Sequence, residues 1–205
     1  MLAGTHRRRA MIRARVATRL AILLGAVLLV AGCGAEESAS FDPSTACDGA
    51  ARQQMKGAYP DLEARVPMEL AGKPARSRDS GRFCSQATLG SVFDAGITEV
   101  RFGGGIWEVG DRGGIQLGAF EGDGLTAEML AEEYRQAADK SRRTEAVRAT
   151  TLEVDGRPAR RIDVVNGNSR QAIVVWSSAD GEAVQVVVAA DVEEADLQEA
   201  VAAYR

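Results

Sequence analysis

The apolar residues of this chain fall into stretches of different rhythm. The first, Leu20 to Ala31, is continuous. As a helix its twelve residues reach about 18 Å, short of the roughly 30 Å of a bilayer core, so no stable span is expected there. Ala46 to Met55 carries a thin apolar stripe behind Ser44 or Thr45 and predicts a short helix. Thr88 is placed to cap a brief helix with Leu89, Val92 and Phe93 on one face and Gly96 just past its end. Ile97 to Phe102 then alternates, with Thr98, Val100 and Phe102 on one side and Glu99 and Arg101 on the other, predicting a strand that Gly103-Gly104-Gly105 interrupts. Ile106 to Val109 and Ile115 to Phe120 follow as short strands around the turn from Gly110 to Gly114. The best helix begins at Thr126, where Leu125 can staple against Leu130. Met129, Leu130, Tyr134, Ala137 and Ala138 line its inner face, while Glu128, Glu132, Glu133, Arg135 and Asp139 line its outer one. Lys140, Arg142 and Arg143 gather at its negative end.

From Val147 the pattern changes to four strands, 147–154, 159–165, 170–176 and 183–190. Asp155-Gly156, Asn166-Gly167-Asn168 and Ser177 to Gly181 are the turns between them, and connections this short force antiparallel neighbours. Val184 to Val188 is apolar throughout save Gln185, which predicts a central strand covered on both faces. Asp191 with Glu194 offers a capping pair for a last helix, whose buried stripe is Leu197, Ala200, Val201 and Tyr204. The order predicts an α+β fold: an antiparallel sheet with a C-terminal four-stranded meander, sandwiched by helices. A two-layer α/β sandwich of another topology is the alternative. This order of elements resembles the Mog1/PsbP-like layout, and the resemblance implies an accessory or binding protein.

Charge divides the chain in two. Residues 1–32 hold six arginines and no acid, which leaves 19 basic against 29 acidic residues beyond them, a net charge of −10. A basic segment, a short apolar run and then small residues form the layout of an export signal. Val30-Ala31-Gly32-Cys33 resembles the lipobox of bacterial lipoproteins. The resemblance implies cleavage between Gly32 and Cys33 and a diacylglyceryl group on the Cys33 thiol. One acyl chain holds a protein only marginally, at about 0.8 kcal/mol per methylene, whereas two give lasting attachment. An ordinary cleaved signal with a chance cysteine, or an uncleaved stub, are the alternatives. Arg8-Arg9-Ala10-Met11-Ile12 also fits a twin-arginine export pattern. The expected organisation is a signal peptide (1–32), a lipidated Cys33 with a flexible tether (33–43) and one extracytoplasmic domain (44–205) on the outer face of the bacterial cell membrane. Cys47 and Cys84 remain for one disulfide, whose loop is worth about 4 kcal/mol in the chain-entropy model.

The chemistry that follows is sparse. The one histidine, His6, lies in the leader, so beyond residue 32 no imidazole is present for a Ser-His-Asp or Cys-His constellation or a histidine metal site. Glu108, which stands where a dinucleotide fingerprint needs its last glycine, and the absence of a G-x-x-x-x-G-K motif exclude the common nucleotide loops. The acidic balance disfavours nucleic acid. Glu108, Asp111, Glu121 and Asp123 lie near turns and offer a carboxylate pair, or simply solvated turn residues. Asp191, Glu193, Glu194 and Asp196 read as the acidic start of a helix. Trp107 and Trp176 are candidate ligand contacts or core; Arg157, Arg160, Arg161 and Arg170 are candidate anion contacts or a polar sheet face. The expectation is a non-catalytic, cofactor-free, metal-free binding or accessory module that meets an envelope protein or a small ligand. A carboxylate-pair envelope hydrolase and a structural or assembly factor are the alternatives.

Overall fold

The structure, a computed structural model, describes residues 41–49 and 53–204. His6, Gly32, Cys33 and the leader lie outside them. After the short strand β1 (Gln53–Met55), Pro60 opens helix α1 (Pro60–Ala64) at a position that needs no N–H donor. The hairpin β2 (Glu69–Leu70) and β3 (Lys73–Pro74) then leads into β4 (Ser77–Phe83). Two single-turn helices follow, α2 (Gln86–Leu89) and α3 (Ser91–Asp94), and then the hairpin of β5 (Val100–Val109) and β6 (Gly113–Glu121). Helix α4 (Ala127–Lys140) starts where the sequence predicts, with the Met129 N–H donating to Thr126 Oγ1 at 3.2 Å. The meander is β7 (Ala146–Val154), β8 (Arg157–Asn166), β9 (Ser169–Ser177) and β10 (Val184–Ala190), and helix α5 (Glu194–Tyr204) follows.

Eight strands form one antiparallel sheet in the order β1-β4-β5-β6-β10-β9-β8-β7. Asp155 and Gly156 both have positive φ, 51° and 74°, the type I′ geometry that matches strand twist and closes β7 onto β8. The last meander strand, β10, pairs with β6 on its other side. That pairing makes β10 an interior strand, and residues 184–189 are buried on both faces. Because side chains alternate along each strand, the sheet feeds two separate cores. On one face Trp107, Leu117, Val174, Trp176 and Val187 pack with Leu62 of α1 and with Leu197, Ala200 and Tyr204 of α5. On the other, Phe102, Phe120, Ile162, Val175 and Val186 pack with Val92 of α3 and Leu130 of α4.

No helix forms among the described residues of 46–55; the chain is irregular to Gly49, and Gln53–Met55 is a strand paired with β4. The carbonyls a helix would have used are taken by Arg82, whose Nη1 donates to Thr45 O at 2.8 Å and whose Nη2 donates to Ala46 O at 3.3 Å. Phe41 to Pro43, read as tether, belong to the packed body: the Phe41 ring lies 6.3 Å from that of Tyr59. The brief helix is capped by Ser85, not Thr88, and splits at Gly90. There the Glu133 carboxylate enters, accepting from Ser91 N at 2.7 Å and Ser91 Oγ at 2.6 Å, so Glu133 faces inward while Ala137 is exposed. The three glycines do not interrupt β5 either. A side chain at Gly103 would stand 2.5 Å from the backbone of Leu62, and one at Gly105 would stand 2.7 Å from the Trp107 ring. These glycines admit α1 and an indole. Asp191 is not part of the last cap: it has φ of 52° and accepts from Ser169 Oγ and Arg170 N, while Asp196 takes the N–H of Glu193.

Candidate functional site

A concavity lies at the end of the sheet where β5 begins and β6 ends. It is a cleft of about 560 Å³ lined by Thr98, Glu99, Arg101, Glu121, Asp123 and Glu182, among others. Ligand sites commonly fall in the range of roughly 300–1,000 Å³, though most are more apolar than this one. Four parts of the chain build it: the loop before β5, the strand β5 itself, the turn after β6 and the loop between β9 and β10. Arg65, just past α1, ties the end of β6 to the loop between β9 and β10. Its Nη1 donates to Asp180 at 2.7 Å and its Nη2 to Glu182 at 2.6 Å, and its Nε lies 3.7 Å from Glu121. Arg101 reaches the other side of Glu121, at 3.1 Å. The Ser178 hydroxyl, the Glu182 N–H and Arg65 hold the Asp180 carboxyl well below the usual carboxylate range, and the bond to Asp180 in turn raises Arg65. Asp123 has no ion pair among the described residues. The acids outnumber the arginines, so the cleft presents a negative, hydrogen-bonding surface suited to a polar or cationic group.

The same end of the molecule receives the chain from its N-terminal side. Arg82, whose side chain is 4 % exposed, lies 3.9 Å from Glu99, and its guanidinium sits over the Phe41 ring at 5.1 Å. Arg101 stacks over Tyr59 at 5.7 Å. Cys47 and Cys84 are joined as the sequence predicts, with Cα atoms 5.9 Å apart. Burial raises the Tyr59 phenol above its ordinary range.

The tryptophans and arginines singled out from sequence go elsewhere. Trp107 is 2 % exposed and Trp176 0 %, and both are core. The Trp107 indole donates to Lys73 O at 3.1 Å, and Trp176 meets the Tyr204 ring edge-on at 5.8 Å. The four arginines do not converge. Arg157 donates to Ser177 O, Arg160 to Glu128 of α4 at 2.8 Å, and Arg161 to Glu194 of α5 at 2.7 and 2.8 Å and to Asp163. Arg160 and Arg161 are neighbours on β8, so they point to opposite faces, and each ties down the helix on its side. The Arg161 guanidinium, with Gln198, lowers the Glu194 carboxyl to about 2. Arg170 is exposed. The four turn acids are divided: Glu121 and Asp123 line the cleft together, while Glu108 and Asp111 stand at the far end of β6, about 27 Å from Glu121 at 3.4 Å per residue. Glu108 is bonded there to Arg76 at 2.6 Å. Among the described residues no three His, Cys, Asp or Glu side chains gather as a metal site.

A second hollow opens on the sheet face above Phe102 and Phe120, floored by Gly104 and Gly118 and edged by Gln54, Asp79 and Gln116. At about 20 Å³ it holds little more than a water molecule. Of the cleft residues, only Glu121 and Asp123 stood out in the sequence. Arg65 and Glu182 are 117 positions apart, and no local pattern links them. No protein-family model matches the chain, and no curated protein does.

Proposed function

We propose that this chain is a lipid-anchored, extracytoplasmic binding or accessory module of the bacterial cell envelope, without catalysis of its own, and that the negative cleft is its binding site. The observation that carries the reading is the position of Phe41 beside that cleft. A lipid on Cys33 would lie eight residues upstream of Phe41, a reach of at most about 27 Å at 3.4 Å per residue. A flexible chain of that length spans about 16 Å on average. The polar lining favours a protein segment or a polar ligand over a carried lipid. The Mog1/PsbP-like resemblance implies an accessory role of the same kind.

The test has two arms on the full chain in its native envelope. Mass spectrometry finds the mature N-terminus at Cys33 carrying acyl chains, and Cys33→Ser releases the protein from the membrane; retention of Met1 would refute the anchor. A photo-crosslinker at Thr98 gives a discrete adduct that disappears when Asp123 and Glu182 are both changed to Lys. An adduct indifferent to those charges would show that the cleft is not the binding site.

A further inference from the structure

The two edges of the sheet are finished differently. β1 is three residues long and lies beside the segment that Cys47–Cys84 and Arg82 pin to the body. β7, at the other edge, is nine residues long and pairs only with β8 among the described residues. Every second N–H and C=O along it points away from β8, a template for another strand. Two of the devices that usually blunt such an edge, proline and a bulge, are missing, and its only charged side chains are Arg148 and Glu153. β7 holds no Pro and no Lys, its register with β8 runs unbroken from Ala146↔Val165 to Val154↔Arg157 without a bulge, and the type I′ turn holds it rigid.

We propose that β7 is the surface on which two copies of this chain pair, antiparallel across a two-fold axis, to join their sheets into one. Three features favour a second copy as the occupant. The strand is self-complementary: its charges, Arg148 and Glu153, are five positions apart and so lie on opposite faces. With Thr151 on the axis, Arg148 stands opposite Val154, Ala149 opposite Glu153 and Thr150 opposite Leu152, so no like charges meet. Leu152, half-buried in the single chain, gains cover from Thr150 and the Arg148 stem of the second copy. Finally, an axis perpendicular to the sheet keeps corresponding faces on the same side. Phe41 packs against the core on the face of α1 and α5, so the Phe41 residues of both copies lie on one side of the joined sheet, from which both Cys33 lipids can reach one membrane. The cleft, built on β5 and β6, stays open in the pair.

The full chain in detergent tests this by sedimentation. Dimers form reversibly as concentration rises, and Thr151→Lys, an exposed change that places two ammonium groups across the axis, weakens them at least about tenfold while the melting temperature stays within about 1 °C. Thr151→Cys crosslinks two copies under mild oxidation, because residues facing each other across an antiparallel pair have Cα atoms about 4.5–5.5 Å apart. Glu153→Cys, displaced from its own mate by about 13 Å, does not. A chain that stays monomeric up to about 100 μM, dimers indifferent to Thr151→Lys, or failure of the Thr151→Cys protein to crosslink would overturn the proposal. Cys33→Ser protein dimerises equally well, so loss of the anchor and loss of the pairing are read separately.

Discussion

Tyr204 illustrates how single atoms in this core carry cost without return. The residue is 2 % exposed, its hydroxyl has no partner among the described residues, and burial pushes its pKa far above the ordinary phenol range. The indole N–H of Trp176 and the Oε1 of Gln185 are likewise buried and unpartnered there, although Gln185 Nε2 donates to Tyr204 O at 2.7 Å. A buried polar group left unpaired costs about 1–3 kcal/mol, whereas its removal with the shape retained is nearly free. Tyr204→Phe keeps the edge-on ring contact with Trp176 and is expected to leave stability unchanged or raise it by up to about 1 kcal/mol. A clear loss in thermal unfolding would mean the hydroxyl has a partner after all.

Among the elements, β5 shows the same residue type serving different ends. Gly103 and Gly105 share a face with Trp107; the first lets the backbone of α1 lie directly on the strand, and the second lets the indole fold back over it. Gly104, between them, faces the other way, and the nearest atom to a side chain there is the Leu117 carbonyl oxygen at 3.0 Å. Helix α1 is five residues long, too short to hold itself, and depends on this seat. Gly103→Ala therefore forces α1 off the sheet and costs about 2–3 kcal/mol by overpacking. Gly104→Ala asks a neighbour to give by a few tenths of an ångström and costs less than about 1 kcal/mol. Denaturant midpoints of the two variants measure the difference, and equal losses would count against the seat.

For the whole molecule, the decisive tie is between the N-terminal segment and the sheet. Cys47–Cys84, the buried Arg82 and the Phe41 ring hold residues 41–47 against β4. Arg160 and Arg161 do similar work across the thickness of the body, one reaching α4 and the other α5. Because the bridge closes a span of 37 residues, its loss releases substantial chain entropy in the unfolded state. Changing Cys47 and Cys84 together to Ala is expected to lower stability by about 2–5 kcal/mol, with protection of residues 41–49 from hydrogen exchange falling first. An unchanged unfolding midpoint would show that Arg82 and Phe41 suffice.

What the sequence determined by itself was local. The α4 helix follows from an apolar face and the Thr126 cap, the meander from alternation and turn residues such as Asp155-Gly156, and the disulfide from the two cysteines left once Cys33 is set aside. Each of these depends on residues that are near neighbours or on simple pairing. The glycine run, read as a break, is a strand because α1 and the Trp107 ring fill the space its side chains leave. The cleft depends on Arg65 meeting Asp180, Glu182 and Glu121, and Arg101 meeting Glu121. Those meetings follow from strand order, above all from β10 joining β6, and strand order is set by which buried surfaces fit one another across the whole chain. Tertiary structure alone decided that, since a side chain's surroundings in the folded state belong to residues far away along the chain.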